Sequence, residues 1–373
     1  MIQTTELKKN LQEGAYDDVL LDIYVDVDVL PYQKDRYVAA IETYEKLYGT
    51  DAVEIYSAPG RSEVGGNHTD HQHGEVLATS INLDAIAIVK KLPDMQIRLV
   101  SDGYDEIVID GNDLSLKEEE KETTTALIKG VLAGAKERGY AVGGFQAYIT
   151  SDVLIGAGLS SSAAFETVIG TILSYLYNDG GIDAITIAII GQYAENVYFG
   201  KPCGLMDQMA CAAGGPILLD FSDKENISCE KIAFSFEDMG CRLVIVNTGK
   251  GHADLSEEYS SIPMEMREAA KAMGVELLCE SNMENLLAHV KDIPNDRAVL
   301  RAMHFYEENR RVADAVKAVE NKDGEGFLRL LEESGNSSWE WLQNCYSLQN
   351  CKEQKITLSL ALTKLFLNKI GAG

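Results

Sequence analysis

The stretch "GGFQAYITSDVLIGAGLSSSAAFETVIGTILSYLY", residues 143–177, contains a strand signal, a glycine-rich loop and a helix signal in direct succession. Phe145, Ala147 and Ile149 occupy alternate positions, which predicts a strand. Past the loop, apolar residues recur at helical spacing and predict a buried helix: Val168, Ile169, Ile172, Leu173 and Leu176. With strands and helices interleaved along the rest of the chain, this order favours an α/β or α+β fold.

The flanking sequence supplies further elements. "YVAAIETYEKLYG", residues 37–49, predicts a helix with Ala39, Ile41, Tyr44 and Leu47 on one face and Gly49 at its end. "VEIYSAPG", residues 53–60, predicts a strand that Pro59 and Gly60 break. Two more strands are predicted in "GPILLDF" and "CRLVIVNTG", residues 215–221 and 241–249, before a mainly helical segment from about residue 260.

Composition excludes several classes of function. The chain has 373 residues, 46% of them hydrophobic, with 59 acidic and 33 basic residues and a formal net charge of −26. This charge argues against nucleic acid or an anionic membrane as a partner, so an anionic ligand needs a local binding device. The seven cysteines show no disulfide framework, and neither a signal peptide nor a run of ~18 apolar residues is present. We therefore expect a cytoplasmic protein.

The loop "GAGLSSS", residues 156–162, has the composition of an anion-binding cradle. Its glycines allow main-chain N–H groups to approach a ligand, and the following helix offers unpaired N–H donors. The hydroxyls of residues 160–162 can cap the helix or reach Mg²⁺. The loop lacks the GK[ST] ending of a P-loop. Ser161 stands where a Rossmann fingerprint requires Gly or Ala, and Ser162 stands where a nucleophile elbow requires Gly. On this loop alone, an ordinary glycine-rich turn with serine caps stays open.

Two carboxylates follow in "AENVYFGKPCGLMDQMACAAGG", residues 194–215. Glu195 lies on a predicted helix, and Asp207 follows a Pro-Cys-Gly loop, so the two acids can approach from different elements. Mg²⁺ with ATP requires a carboxylate and a hydroxyl, and a hydroxyl that attacks phosphorus requires a proton acceptor or an orienting charge. Each acid taken alone is also typical of a surface charge or a helix cap.

A histidine cluster lies in "GRSEVGGNHTDHQHG", residues 60–74, which holds three of the chain's six histidines. The spacing of the histidines permits a metal site. His71 and His73 would point the same way on a strand, and His68 and His71 would share a face of a helix. A structural zinc site requires four converging ligands, however, and no CxxC or HxxxH pair occurs elsewhere. The surrounding glycines instead allow a small ligand to approach the backbone.

Taken together, "APGR…GNHTDH", "GAGLSSSAA" and "GKPCGLMDQ" resemble the galactokinase branch of the GHMP small-molecule kinases. Three later segments are similar to further motifs of that family: "GHADLSEEY", "RAMHFYEENRRV" and "ESGNSSWEWL". The resemblance covers residues 45–373. It implies an α+β, two-lobed fold with the active site between the lobes: an N-terminal lead-in at 1–44, an N-terminal lobe at 45–218 and a C-terminal lobe at 219–373.

The resemblance also implies site residues and cofactors. Asp207 faces the anomeric hydroxyl of the sugar as base or orienting anion, and Arg61 stabilises charge beside it. The phosphates of ATP are held by Gly156, Ala157, Gly158, Leu159, Ser160, Ser161 and Ser162. Mg²⁺ is held by Ser162 and Glu195. The sugar is contacted by Asn67, His68, Asp70, Gly204 and Tyr259.

The sequence departs from the family pattern in three places. The family usually carries "GRxNLIGEHTDY" where this chain has residues 60–71. The residues that differ here are Ser62, Glu63, Val64, Gly65, Asn67 and His71. Asn67 replaces a glutamate and so removes a charged acceptor at a sugar-contacting position. In the family's Ser-His-x-Ser-Leu motif, Gly335 replaces the histidine and Ser338 the leucine. The chain ends at Gly373 without the glycine-rich third motif, which predicts a truncated C-terminal lobe with an exposed sheet edge.

The function implied by the resemblance is ATP-dependent phosphorylation of galactose to galactose 1-phosphate. Two alternatives remain open from the sequence: a 1-kinase for another hexose or an N-acetylated one, which Asn67 suggests, and a non-catalytic regulator that binds ATP or sugar. A generic α/β protein would require all three motifs to be accidental. The expected partner is a small-molecule sugar substrate, and the sequence does not indicate the oligomeric state.

Overall fold

The computed structural model describes residues 1–223, 227–236, 239–249 and 256–371. The chain divides into two compact units, Met1–Ser62 with Ser80–Gly215, and Glu63–Thr79 with the described part of Pro216–Gly373. The histidine-rich segment thus belongs to the second unit although it precedes most of the first in sequence. The lobe limits expected at residues 45 and 219 stay a prediction.

The first unit is a mixed sheet with helices packed on it. The strands follow the order β1-β2-β3-β6-β4-β5, in which β6 runs parallel to β4 and antiparallel to β3. These strands are β1 (Ile2–Gln3), β2 (Ala52–Gly65), β3 (Glu75–Lys91), β4 (Gln96–Ser101), β5 (Ile107–Asp110) and β6 (Phe145–Ser151). The first unit contains β2 up to residue 62 and β3 from residue 80 onward. Its helices are α1 (Thr4–Gln12), α2 (Asp17–Tyr24), α3 (Leu30–Tyr48), α4 (Thr124–Glu137), α5 (Ser161–Asn178), α6 (Ala184–Tyr193) and α7 (Met206–Ala213).

The predicted strand, loop and helix of residues 143–177 are confirmed. Strand β6 pairs with both its neighbours, and residues 145–149 are all buried, so its alternate side chains are covered on both faces of the sheet. All five apolar residues predicted on the buried face of α5 lie in the core of the unit. The loop between β6 and α5 is therefore held at both ends by buried elements, and the predicted α+β class is confirmed.

Two local expectations in the first unit are wrong. Ala39 and Leu47 are exposed on α3, because the helix buries the face that carries Arg36, Tyr37 and Ala40. An arginine can occupy this face because it pairs with a buried carboxylate from β3, Asp84.

Strand β2 also differs from the expectation, since it continues through Pro59 and Gly60 to Gly65. Strand β1 pairs only with Ala52 and Val53, so the proline lies beyond the stretch where β2 is bonded to β1. A proline is tolerated in a strand where its missing N–H is not needed by the ladder.

The second unit is mainly helical. The strands β7 (Pro216–Asp220) and β8 (Ser228–Lys231) pair with each other, and β7 also pairs with the first residues of β3. Its helices are α8 (Ser256–Ala272), α9 (Met283–His289), α10 (Asp296–Glu320), α11 (Gly324–Ser337) and α12 (Lys355–Ile370). The helical segment predicted from about residue 260 is confirmed.

The strand predicted at residues 241–249 is wrong. These residues have no regular secondary structure, and Leu243 to Val246 are exposed. A strand forms only by pairing with a neighbour, and this segment pairs with none of the strands in the described ranges. The expected truncation of the C-terminal lobe stays a prediction. Among the helices described, none has the length and apolar character needed to cross a membrane.

Candidate active site

The loop between β6 and α5 adopts left-handed backbone at three positions. Gly156 has φ 72°, Gly158 has φ 75° and Ser160 has φ 56°. An added Cβ at Gly158 would meet no atom within 4 Å, so the space beside the backbone is open there. Directly after these turns, α5 begins at Ser161 and presents its unpaired N–H groups. The loop thus offers main-chain donors and the positive end of an 18-residue helix to an anion.

Ser160 shows that this loop is more than a capped turn. It occupies the N-cap position of α5, yet its side chain makes no cap hydrogen bond. The Ser160 hydroxyl instead donates to Oδ2 of Asp207. The interpretation of the loop as an ordinary turn with serine caps is therefore wrong for the residue that occupies the cap.

Asp207 lies in the first turn of α7, where the helix dipole favours a carboxylate. Arg61 on β2 binds its Oδ1 through two nitrogens, with Nε donating at 2.8 Å and Nη2 at 2.7 Å. The same guanidinium donates from Nη1 to the carbonyl oxygen of Gly158 at 2.6 Å. One arginine therefore joins the carboxylate to the glycine-rich loop, and the two residues predicted to act in catalysis are in contact.

Ser162 and Glu195 also lie together, as the sequence predicts. The Ser162 hydroxyl donates to Glu195 Oε1 at 2.9 Å, and Glu195, on the turn Ala194–Phe199, is only 4% exposed. Lys201 Nζ lies 3.9 Å from the same oxygen. A carboxylate and a hydroxyl are hard oxygen donors of the kind Mg²⁺ prefers, and Mg²⁺ keeps its remaining positions for water and phosphate. The two side chains fit that role, although within the described residues no group of three His, Cys, Asp or Glu could hold a metal.

Two buried polar residues behind this pair were missed by the sequence analysis. Gln208 Nε2 donates to Oε2 of Glu195 at 3.1 Å and to Oε2 of Glu166 at 3.3 Å, so one amide bridges two carboxylates. Burial raises the pKa of Glu166 well above its usual value, and the nearby Glu195 carboxylate raises it further. Gln208 directly follows Asp207, which is the one signal in the sequence that could have drawn attention to it.

In the second unit, the sugar-signature segment forms a tight turn. Gly66 has φ 94°, and an added Cβ would lie 2.4 Å from the carbonyl oxygen of Glu75, so only glycine fits. The Thr69 hydroxyl oxygen lies 2.8 Å from Gly66 O and 2.6 Å from Glu75 O, so its single proton is shared between two carbonyl acceptors. His68 within the turn has φ 61°, a left-handed conformation uncommon outside glycine.

Three aromatic rings gather at this turn. His68 stacks on His71 with ring centroids 5.5 Å apart, and Tyr259 of α8 lies edge-on to both at 5.2 and 5.7 Å. Burial lowers the pKa of His68 to about 3, with the neighbouring His71, His304 and Arg301 acting in the same direction. His68 is therefore a neutral imidazole at pH 7, with one donor and one acceptor nitrogen, which suits hydroxyl groups. Tyr259 remains 48% exposed.

Asn67 is held by the helices behind the turn. Its carbonyl oxygen lies 2.8 Å from Nε2 of His304, and its side-chain Nδ2 donates to Ser338 Oγ at 2.8 Å. Asp70 accepts from the main-chain N–H of His71 at 2.9 Å. Thus four of the five predicted sugar residues, Asn67, His68, Asp70 and Tyr259, belong to the second unit.

The fifth, Gly204, belongs to the first unit, in the irregular segment just before α7. Residues 251–255 of the "GHADLSEEY" segment, including His252, lie outside the described residues.

Comparison with protein-family models gives two matches. Residues 126–215 match the model "GHMP kinases N terminal domain", and residues 42–91 match the "Galactokinase galactose-binding signature". The first range contains the loop, Glu195 and Asp207, and the second contains Arg61 and the turn around His68. Both matches therefore fall on the residues described above.

Known relatives align over most of the chain. A galactokinase from Streptomyces coelicolor is 31% identical over 86% of this chain and 82% of its own length. Galactokinases from Clostridium beijerinckii and Clostridium tetani are 32% and 30% identical, each over 78% of this chain and over 76% and 74% of their own lengths.

Solved structures agree in fold. Lactococcus lactis galactokinase complexed with galactose superposes with a TM-score of 0.71 at 26% identity, over 82% of this chain and 80% of that one. Methanococcus jannaschii mevalonate kinase superposes with a TM-score of 0.51 at 16% identity, over 80% and 81%, and at that identity the similarity concerns the fold alone.

Proposed function

The chain belongs to the galactokinase family, and we propose that it transfers the γ-phosphoryl group of ATP to the anomeric hydroxyl of galactose, giving galactose 1-phosphate and ADP. The observation that carries the proposal is the contact of Arg61 with both Asp207 and the glycine-rich loop. This contact joins the carboxylate that would face the attacking hydroxyl to the loop that would hold the phosphates.

Asp207 receives the proton or orients the hydroxyl that attacks phosphorus. Its Oδ1 is fixed by Arg61, and its Oδ2 accepts from Ser160 while keeping a second lone pair for a substrate hydroxyl. Arg61 offsets the charge that develops on the attacking oxygen. The hydroxyl proton moves toward Asp207 as the bond to phosphorus forms.

ATP and Mg²⁺ are the cofactors of the proposed reaction. Main-chain N–H groups of residues 156–162 bind the phosphates, and Ser162 with Glu195 holds Mg²⁺, which neutralises charge on the phosphate oxygens when bound. Gln208 and Glu166 position Glu195 from behind through the bridging amide. These residues bind and orient, while proton movement is left to Asp207.

Sugar recognition is assigned to Asn67, His68, Asp70, Tyr259 and Gly204. A site that hydrogen-bonds several hydroxyls discriminates strongly, because a wrong epimer leaves a buried polar group unpaired. The neutral His68 ring can both donate to and accept from hydroxyls. The acidic charge and the cysteine pattern support a cytoplasmic location and a small-molecule partner rather than nucleic acid, and we include both in the proposal.

The test is ADP formation by the purified chain with Mg²⁺-ATP and galactose, beside glucose and N-acetylgalactosamine. We expect turnover on galactose and a loss of about 10²-fold or more in kcat for Asp207→Asn. Asp314→Asn is the matched control, because Asp314 pairs with Arg310 at 3.0 Å on an exposed helix face. Equal activity of Asp207→Asn and the wild-type protein would refute the assignment.

A further inference from the structure

Three serines of one helical segment support the sugar-signature turn. All three lie in the second unit, at the end of α11 and the start of the short π-helix Ser338–Leu342: Ser334, Ser337 and Ser338. Each serine contacts either the sugar-signature turn or a side chain of α10 that in turn contacts the sugar-signature turn. The segment therefore acts as a support for residues 66 and 67.

Two of these serines fix the main chain of the turn. Ser334 donates to Oε1 of Glu308, and that same oxygen accepts from the N–H of Gly66 at 3.1 Å. Ser337 Oγ lies 2.8 Å from Nδ1 of His304, whose Nε2 lies 2.8 Å from the carbonyl oxygen of Asn67. His304 and Glu308 are both fully buried, so these contacts are shielded from water.

The third serine fixes the side chain of residue 67. Ser338 Oγ accepts a hydrogen bond from Asn67 Nδ2 at 2.8 Å, and Ser338 is 7% exposed. A carboxamide has a donor end and an acceptor end, and in this structure the donor end, Nδ2, faces Ser338, whose hydroxyl oxygen acts as the acceptor. With Nδ2 directed to Ser338, the opposite end of the amide, Oδ1, is a neutral acceptor for a ligand.

Both partners of this contact are departures from the family pattern, which has glutamate at 67 and leucine at 338. A leucine offers no acceptor, so an asparagine beside it would leave a half-buried donor unpaired. Serine at 338 supplies that acceptor. The two departures are 271 positions apart in sequence and meet in one hydrogen bond.

We propose that Ser338 is a positioning residue for sugar specificity, which orients the Asn67 amide so that Oδ1 accepts a hydrogen bond from one sugar hydroxyl. The inference rests on the proposed function, since it needs a sugar at residue 67. It extends the expectation drawn from Asn67 alone: a neutral acceptor replaces the charged one at this position, and its orientation depends on a second residue.

A double-mutant cycle on galactose binding tests the inference. The proteins are wild type, Ser338→Ala, Asn67→Ala and the double variant, titrated calorimetrically with galactose with and without a non-hydrolysable ATP analogue. Ser338→Ala should raise the Kd for galactose about fivefold when residue 67 is asparagine, the loss expected for one hydrogen bond, and leave it unchanged when residue 67 is alanine. Ser174→Ala, which removes a buried hydroxyl on α5, should keep the wild-type Kd.

A series of monodeoxygalactoses adds a second readout. One member lacks the hydroxyl that Asn67 contacts, so the wild-type protein should bind it with a higher Kd than galactose. The ratio of these two Kd values should be about fivefold smaller in Ser338→Ala than in the wild-type protein. A merely structural role for Ser338 would weaken all members equally.

The outcomes separate this inference from the proposed function. An equal effect of Ser338→Ala in both backgrounds, or no effect in either, overturns the inference while ADP formation still supports the kinase. A coupled effect on the Kd without ADP formation overturns the kinase and supports the inference. Absence of any galactose binding overturns both.

Discussion

Arg61 binds one oxygen of Asp207 through two guanidinium nitrogens, Nε at 2.8 Å and Nη2 at 2.7 Å. Its third guanidinium nitrogen, Nη1, donates to the carbonyl oxygen of Gly158. The arginine is only 14% exposed in its side chain. A lysine ammonium could not make this fork of donors. The geometry therefore fixes the carboxylate relative to the glycine-rich loop.

Replacing Arg61 by lysine should keep a positive charge but lose the fork. We expect kcat to fall by about 10²-fold, with a smaller change in the KM for galactose, because the charge acts mainly in the transition state. Steady-state kinetics measures both constants. The control is Arg98→Lys, which alters an exposed pair with Glu106 and should change neither. Wild-type kcat in Arg61→Lys would contradict the role assigned to the fork.

Glu195 is a proposed ligand of Mg²⁺, and a neutral amide binds Mg²⁺ more weakly than a carboxylate does. Replacing it in Glu195→Gln should therefore raise the Mg²⁺ concentration required for half-maximal activity by about tenfold or more. Titration of activity with Mg²⁺ at saturating galactose measures this. Glu118→Gln, at an exposed position, should leave the Mg²⁺ requirement unchanged. The same Mg²⁺ curve for Glu195→Gln and wild type would remove Glu195 from the metal site.

His68→Asn should flatten the loss of stability in acid. The folded pKa of His68 is lowered from 6.5 to about 3, so its contribution to stability is complete above about pH 6.5 and is lost as the pH falls toward 3. At pH 5 the wild-type protein should have lost about 2 kcal/mol of unfolding free energy through this group, and the variant should not. Asparagine also accepts the left-handed backbone found here.

Urea unfolding at pH 5 and pH 7.5 measures the difference for both proteins. Equal losses of unfolding free energy in His68→Asn and in the wild-type protein would show that His68 does not titrate as its burial requires.

Asp84→Ala should destabilise the first unit strongly. Asp84 is 1% exposed and binds Arg36 at 2.6 Å and the Tyr24 hydroxyl at 2.8 Å, so its removal leaves a buried arginine short of its partner. We expect a loss of about 3–5 kcal/mol in unfolding free energy. Glu106→Ala, which breaks the exposed pair with Arg98, should cost less than about 1 kcal/mol.

Chemical denaturation measures both variants. A small effect of Asp84→Ala would mean that the N-terminal helices are not held through Arg36.

Local periodicity was enough to predict the strand, loop and helix around residues 156–162, because both elements are buried and their apolar residues recur at the expected spacing. On α3 it predicted the helix, its end at Gly49 and the buried Ile41 and Tyr44. It was wrong for Ala39 and Leu47, because the buried face carries Arg36, which pairs with Asp84. A pattern built on apolar residues cannot anticipate a buried ion pair. It failed at residues 241–249 because a strand depends on a partner that sequence does not name.

The site was predictable in part. Arg61 and Asp207 are 146 positions apart, and only the family resemblance linked their roles before the structure placed them in contact. Glu166 carries no motif signal, since a glutamate on a helix is typical of a solvated surface, and the signal for Gln208 was its place directly after Asp207. The contact of Asn67 with Ser338 joins two departures that seemed independent in the sequence.

Identification of the product tests the central claim most directly. The purified chain is incubated with Mg²⁺-ATP and galactose, and the phosphorus NMR spectrum of the mixture is recorded with coupling to protons. The account predicts a new sugar-phosphate resonance coupled to the anomeric proton of galactose, formed in equal amount with ADP. Phosphate on another hydroxyl, or ADP formed without any sugar phosphate, would contradict it.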